Sequence, residues 1–290
     1  MFHGVQFELL GPVRGWRDGT ELRLGSPQQR ALLAILLLAE GRQVSLETAL
    51  DGLWGQDVPR AAASTVRTYV SRLRTHLATG PAGEPGLTIN SIGDGYALEP
   101  TAFTLDVSVF QARLAEARRA RENRETASAA QLMREALSLW RGTPLSGMPG
   151  PYAEARRLHL SDLYMAALEE KLALDVLTGQ HVAAIPELRD LCREHPLHEG
   201  LTETLMLALY KSARQAEALV AFDDMRRALR DQLGIDPGPA LREMHRRILR
   251  ADPELTAPAQ RPLSPGAQVI HLPVSYQDHG PHLATDYATR

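Results

Sequence analysis

"STVRTYVSRLRTHL", residues 64–77, has the residue spacing of an amphipathic helix with a thin apolar stripe. Projected at about 100° per residue, the stripe consists of Val66, Val70, Leu73 and Leu77. The remaining circumference carries arginine and hydroxyl side chains, and no acidic residue interrupts it. We therefore expect the stripe to hold the helix on a small core and the polar side to face a partner.

The chemistry of this polar side fits the major groove of DNA. Arginines can clamp phosphates or pair bidentately with guanine, and hydroxyls reach phosphates and base edges without bulk. A solvated arginine face is nevertheless the more common outcome for any one helix. The helix alone leaves both interpretations open, and the neighbouring segments are needed to choose between them.

Two further helices are predicted before this one. The first covers residues 26–40, with Ser26 at the N-cap position and Pro27 at the first helical position. The second covers residues 45–54 and stops at Gly55. We expect the three helices to bury their apolar stripes against one another.

Short β-structure is predicted on both sides of the three helices. The segments "VQFELLGPV" (5–13) and "TELRLG" (20–25) have β-rich character and predict a small antiparallel sheet. Downstream, "NSIGDG" (90–95) predicts a hairpin turn that uses Gly93 and Gly95 at positive φ. A sheet, three helices and a hairpin form the layout of a winged helix.

Residues 105–251 predict an almost wholly helical region. The segments "QHVAAIPELRDLCREH" and "RQAEALVAFDDMRRAL" align at an offset of 34 residues, which is the period of tetratricopeptide (TPR) repeats. We therefore predict helical pairs that stack on one another and bury a continuous core. Asp106, which follows "FTL", is predicted to cap the first helix of this region.

The composition limits the class of protein. The formal net charge is −3, and residues 1–101 contain nine arginines and ten acidic residues, so DNA binding requires one concentrated basic patch. Cys192 is the only cysteine, which excludes an internal disulfide. The sequence lacks a secretory signal pattern and an apolar run long enough to span a bilayer, so it predicts a cytoplasmic protein with no membrane partner.

No enzymatic, cofactor or metal site is predicted. The 290 residues contain no G-x-x-x-x-G-K-[ST], no nucleophile elbow and no HExxH motif. Among the ten histidines, His195 and His198 flank "PL" at a helix junction, which is typical of surface or capping roles rather than metal binding.

Several motifs give the chain a resemblance to a known family. Three of them resemble the OmpR-type winged-helix DNA-binding domain, namely "LWG" at 53–55, "VRTYVSRLR" at 66–74 and "GDGYAL" at 93–98. Four more resemble the bacterial transcriptional activation domain (BTAD), namely "LWRGTPL" at 139–145, "EARRLHL" at 154–160, "HPLHEGL" at 195–201 and "LRDQLGIDPGPAL" at 229–241. In this order the motifs resemble the Streptomyces antibiotic regulatory protein (SARP) family.

The resemblance implies an α+β winged helix-turn-helix domain followed by an all-α TPR-like helical domain. It implies an OmpR-type DNA-binding domain at 1–101 and a BTAD at 102–252. Residues 253–290 are rich in proline and predict a flexible tail.

Carried over position by position, the resemblance also implies which side chains face DNA. On the helix these are Ser64, Thr65, Thr68, Tyr69, Ser71, Arg72 and Arg74, and on the wing they are Asn90, Gly93 and Tyr96. The helical projection adds Arg67 to this set. The wing tip has Ile92 and Asp94 where many winged helices have an arginine, so we expect the helix to carry more than its usual share of binding.

The function implied by the family is activation of transcription. Two copies would bind direct repeats in promoter DNA and recruit RNA polymerase holoenzyme through its sigma and other subunits, to control a secondary-metabolite gene cluster. The alternative is a helical-repeat adaptor whose winged helix does not bind DNA.

Overall fold

The structure is a computed structural model that describes residues 4–78, 87–99 and 103–256. Its strands are β1 (Val5–Glu8), β2 (Arg14–Arg17), β3 (Thr20–Glu21), β4 (Val44–Ser45), β5 (Ile89–Ile92), β6 (Gly95–Leu98) and β7 (Phe103–Leu105). Its helices are α1 (Pro27–Leu38), α2 (Leu46–Trp54), α3 (Ala62–Ala78), α4 (Asp106–Glu122), α5 (Thr126–Leu137), α6 (Pro151–Leu177), α7 (His181–Glu194), α8 (Glu199–Lys211), α9 (Gln215–Leu233) and α10 (Pro239–Leu249). The predicted α+β winged helix-turn-helix region followed by a helical region is confirmed.

The hairpin β5–β6 forms the wing beside α3. Strand β4 pairs with β6, so the order in this sheet is β4-β6-β5. Gly93 lies in the turn at φ 54°, as predicted. The prediction for Gly95 is wrong, because its φ is not positive. Gly95 is required for space instead, since a Cβ there would lie 2.3 Å from the carbonyl oxygen of Val44 on the paired strand.

The second sheet lies at the start of the chain. Strands β1, β2 and β3 form the predicted small antiparallel sheet, with Asp18 and Gly19 at positive φ in the tight turn between β2 and β3. Strand β7 adds to the free edge of β1 in parallel and gives the order β3-β2-β1-β7. The pairing of β7 with β1 was not predicted, because β7 has only three residues and its partner strand is distant in the sequence.

The caps of α1 and α2 follow the sequence closely. Ser26 Oγ accepts a hydrogen bond from the Gln29 amide, and the Gln29 side chain accepts one from the Ser26 amide, which completes a capping box. Ser45 Oγ accepts from the Thr48 amide at the start of α2. These local caps explain why both helix starts are predictable.

The helical region contains the predicted repeat. The aligned positions in α7 and α9 all face the interior, and all of them are buried except Leu219, which is half-buried; they are Ala184, Ile185, Leu188, Leu191, Ala218, Leu219, Phe222 and Met225. His198 is the N-cap of α8, where its Nδ1 accepts a hydrogen bond from the Leu201 amide. The capping role predicted for this histidine is confirmed.

The described residues form two hydrophobic cores, and the division between these cores does not coincide with the predicted domain boundary. The first core includes Phe7 in β1 and Val70 in α3, and it continues without interruption to Phe110 in α4 and Leu160 in α6. The second core is built by α7–α10 and by part of α6. The winged helix and α4–α6 therefore share one core, while the boundary at residue 101 stays a prediction.

Close backbone packing joins α2 to the start of α6. A Cβ on Gly150 would lie 2.6 Å from the Gly52 carbonyl oxygen, and a Cβ on Gly52 would lie 2.8 Å from Cδ1 of Ile35 and 3.3 Å from Cβ of Tyr152. Glycine at both positions permits this approach. The helix that precedes α3 is thus in fixed contact with the helical region.

Asp106 anchors α4 to the end of β1 instead of capping its own helix. Its carboxylate accepts hydrogen bonds from the amides of Leu9 (2.8 and 2.9 Å) and Leu10 (3.0 Å), while the N-cap of α4 is Leu105, which has no side-chain cap. The predicted N-cap is therefore wrong, because tertiary donors occupy the carboxylate. Burial raises the pKa of Asp106 to about 6, although these hydrogen bonds and Arg141 act to lower it.

This pKa predicts how stability depends on pH. Because the pKa of Asp106 is above its ordinary value of 3.8 in the folded protein, the stability linked to this group is fully present below pH 3.8 and is lost as the pH rises through 6. We expect this group to make the free energy of unfolding about 1 kcal/mol higher at pH 5 than at pH 7.5. Urea unfolding of the wild type and of Asp106→Asn at both pH values isolates the effect. An equal pH dependence in the two proteins would contradict it.

The segment after α5 continues the attachment. The amides of Arg141 and Leu145 donate to the carbonyl oxygens of Leu10 (2.8 Å) and Leu9 (2.9 Å), and Arg141 Nη2 pairs with Glu8 at 2.7 Å. This contact uses the motif "LWRGTPL", which therefore joins the helical region to the first sheet.

The C-terminal end of the described chain remains packed. A 3-10 helix at Pro253–Leu255 follows α10, and Leu255 is buried in the second core. The rest of the predicted tail, 257–290, lies outside the described residues. Within the part that the structure describes, no helix is long and apolar enough to cross a membrane.

Candidate nucleic-acid interface

Helix α3 is held on the first core by the predicted stripe. Val66, Val70, Leu73 and Leu77 are each no more than 1% exposed. Arg17 on β2 donates from Nη2 to the Leu77 carbonyl oxygen and so occupies an acceptor in the last turn of the helix. These contacts leave the opposite side of α3 at the molecular surface.

The exposed side of α3 carries most of the predicted DNA-facing residues. Ser64, Arg67, Thr68, Ser71 and Arg72 are exposed, and Thr65 is half-buried. The hydroxyls of Thr65 and Thr68 donate to carbonyl oxygens four residues earlier in the chain, at 3.0 and 2.9 Å. These hydroxyl protons are therefore used locally, and the oxygen lone pairs remain available to accept hydrogen bonds.

Arg67 and Arg72 are available for an external partner. Among the described residues, neither makes an ion pair or hydrogen bond, and no acidic residue occurs between Asp57 and the end of α3. In the helical region, by contrast, most arginines lie beside a carboxylate. These paired arginines are Arg113, Arg121, Arg134, Arg141, Arg189, Arg193, Arg214, Arg226, Arg227, Arg230, Arg246 and Arg247. The positive charge of α3 is thus concentrated and uncompensated.

Two predicted residues of α3 are engaged within the protein. Tyr69 is half-buried, and its hydroxyl donates to Gln28 Oε1 at 2.6 Å on the first turn of α1. Arg74 is also half-buried, and it donates to the wing strand β5. Both side chains lie at the edges of the apolar stripe, so they connect α3 to its neighbours.

The wing presents few groups for nucleic acid. Asn90 and Gly93 are exposed and Tyr96 is half-buried. Ile92 at the tip is 46% exposed, beside the carboxylate of Asp94. The wing therefore offers an amide and apolar surface but no positive charge.

Sequence reasoning missed three residues that set the geometry of this surface. They are Arg17, Gln28 and Ser91, which contact α3 from β2, α1 and β5. Each acts across a long separation in sequence, and no local pattern marks such partners. Within the described ranges, no group of three or more potential metal ligands lies together.

The fold and this surface define a transcriptional regulator in which an OmpR-type winged helix precedes a bacterial activator domain. The family model for the "Bacterial transcriptional activator domain" matches residues 105–249, and the model for "Transcriptional regulatory protein, C terminal" matches residues 19–98. The chain belongs to the SARP family, as its motifs predicted.

Curated relatives agree with this assignment. The chain is 45% identical over 278 residues to the regulatory protein AfsR of Streptomyces coelicolor, covering 94% of this chain and 27% of AfsR. It is 32% identical over 260 residues to the regulatory protein DnrI of Streptomyces peucetius, covering 86% of this chain and 93% of DnrI. The chain thus spans about a quarter of AfsR and nearly all of DnrI.

A solved structure has the same architecture. It is that of Mycobacterium tuberculosis EmbR in complex with a low affinity phosphopeptide. The TM-score is 0.80 at 33% sequence identity, and the match covers 87% of this chain and 68% of that one. The arrangement of winged helix and helical region is therefore shared with a known regulator.

Proposed function

We propose that the chain is a sequence-specific DNA-binding activator that places α3 in the major groove of promoter DNA. The observation that carries the proposal is the pair of exposed arginines, Arg67 and Arg72, on a helix face without acidic residues. The arginines can contact phosphates and base edges, and the hydroxyl oxygens of Ser64, Thr68 and Ser71 can accept hydrogen bonds from amino groups on the base edges.

The close packing of the winged helix against the helical region supports a role in recruitment. Because α2 packs against α6 at Gly52 and Gly150, a partner bound to the helical region is held at a fixed position relative to the DNA. The loop between α2 and α3 carries Val58, which is 42% exposed. We propose that this loop and the helical region contact RNA polymerase holoenzyme, including its sigma subunit.

Membership of the SARP family supports the finer parts of the proposal. Two copies bind direct repeats in the promoter, and the controlled genes belong to a secondary-metabolite cluster. Such an activator is not an enzyme, needs no cofactor, and acts in the cytoplasm beside the chromosome. The alternative, a helical-repeat adaptor, leaves the uncompensated charge of α3 without a role.

The test is transcription from the promoter nearest to the gene for this chain, with purified RNA polymerase holoenzyme and the full chain. We expect the protein to raise the amount of run-off transcript, and a template with one direct repeat scrambled to lose the effect, because specific binding depends on the site. Truncation at residue 101 is unsuitable, because it would cut through the first core. Equal binding to promoter and random duplex, with no rise in transcript, would favour the adaptor.

A further inference from the structure

Arg74 is placed differently from the other arginines of α3. Its Nε donates to the Ile89 carbonyl oxygen at 2.8 Å, and its Nη2 donates to Ser91 Oγ at 2.7 Å, both on β5. Arg72, two residues earlier, is exposed to solvent. The planar fork of the Arg74 guanidinium thus bridges α3 and the wing, a geometry that a lysine cannot reproduce.

The wing that Arg74 holds carries no positive charge of its own. Residues 87–99 contain no arginine or lysine, and their charged side chains are Asp94 and Glu99. At the tip, Gln43 Nε2 donates to the Ile92 carbonyl oxygen at 2.9 Å and to Asp94 Oδ1 at 3.2 Å. The wing is therefore attached at its base by Arg74 and at its tip by Gln43.

We infer that Arg74 is a positioning residue that fixes the wing relative to the recognition helix α3 and does not itself contact DNA. The inference rests on the proposed function, because it assigns a role within the same interface. Two Arg74 donors are already used in the free protein, so moving the guanidinium to a phosphate would break both hydrogen bonds. A wing that is already in place spares the cost of ordering it during binding.

The test compares Arg74→Ala with Arg72→Ala, a matched change on the same helix, in the full chain. Affinities for promoter duplex and for random duplex are measured over a series of salt concentrations. For Arg74→Ala we expect about tenfold weaker promoter binding with an unchanged slope of log affinity against log salt, because no phosphate contact is lost. For Arg72→Ala we expect the magnitude of the slope to fall by about 1 if Arg72 contacts a phosphate, and by less if it contacts a base edge.

Two further variants separate positioning from a loss of stability. Ser91→Ala removes one hydrogen-bond partner of Arg74 without changing the charge, and adding it to Arg74→Ala should cause no further loss of promoter affinity. Arg74→Lys keeps the charge but lacks the fork, so it should bind the promoter nearly as weakly as Arg74→Ala. Binding to random duplex depends on phosphate contacts, so it should be unchanged in Ser91→Ala and in Arg74→Lys.

The outcomes distinguish the inference from the proposed function. A slope reduced in magnitude by about 1 in Arg74→Ala, or promoter binding by Arg74→Lys at the wild-type level, would overturn the inference and make Arg74 a phosphate contact. Unchanged promoter affinity in Arg74→Ala would also overturn it. Failure of the proposed function has a different signature, since the wild type would then show no preference for the promoter over random duplex.

Discussion

Replacing Phe110 by alanine should lower the free energy of unfolding of the first core by about 3 to 5 kcal/mol. Phe110 is fully buried in α4, and its ring packs edge-on against Trp140 with the centroids 5.4 Å apart. The lost ring removes apolar contacts and leaves a cavity that rigid neighbours cannot fill. Because the winged helix shares this core, a change in α4 should also weaken promoter binding at temperatures near the transition.

Tryptophan fluorescence during urea unfolding measures this effect. The chain has three tryptophans. Trp16 lies in β2, Trp54 ends α2, and Trp140 packs against the first core. Their fluorescence therefore reports the part of the molecule that contains the winged helix.

Phe222→Ala in α9 provides the matched control. Phe222 is 5% exposed and stacks on His245 at 3.9 Å between ring centroids, in the second core. Phe222→Ala should shift the unfolding transition measured by circular dichroism more than the transition measured by tryptophan fluorescence. If the free energy of unfolding measured by tryptophan fluorescence falls by less than about 1 kcal/mol in Phe110→Ala, that result would contradict a core shared by the winged helix and α4–α6.

The features of the fold that the sequence predicts are those set by residues close to one another in the chain. The spacing of the apolar stripe of α3 and the caps at Ser26 and Ser45 are set by residues within a few positions of one another, and all of them are present in the structure. The repeat between α7 and α9 was predictable for a similar reason, since two segments of the same chain must bury equivalent faces.

The unpredictable part consists of contacts between distant segments. The sequence predicts Asp106 to cap its helix, but its carboxylate instead accepts hydrogen bonds from backbone amides 96 and 97 positions away in the chain. The sequence predicts Gly95 as a turn glycine, but its role is different: the paired strand lies so close that only a residue without a side chain fits. A local pattern specifies which groups are available, whereas the tertiary fold determines which partner reaches them.

The same distinction applies to the candidate interface. Exposure of Arg67, Thr68 and Arg72 follows from the helical projection and is present in the structure. The engagement of Tyr69 by Gln28 and of Arg74 by Ser91 was not predictable, because each partner lies on another element. The residues assigned to DNA contact stay a prediction that binding measurements must test.

Replacing Arg67 and Arg72 together by alanine should reduce promoter affinity by about 2 to 6 kcal/mol, because each arginine supplies about 1 to 3 kcal/mol if it contacts a base edge. Both side chains are exposed and without partners in the described structure, so their removal should leave the free energy of unfolding nearly unchanged. The slope of log affinity against log salt should fall in magnitude by about 2 if both contact phosphates, and by less if they contact bases. The measurement is fluorescence anisotropy with labelled promoter duplex over a series of salt concentrations.

Arg193→Ala combined with Arg226→Ala is the matched control for this pair. It removes the same two positive charges from exposed sites in α7 and α9, where each arginine pairs with an aspartate three residues earlier in its own helix. If long-range attraction alone draws the protein to DNA, the two double variants should lose affinity equally. If α3 reads the promoter, the control should retain affinity to within a few fold while Arg67→Ala with Arg72→Ala loses it. Equal losses, or wild-type binding by the α3 variant, would remove α3 from the interface, because an uncompensated helix face that contributes no more than distant charges has no recognition role.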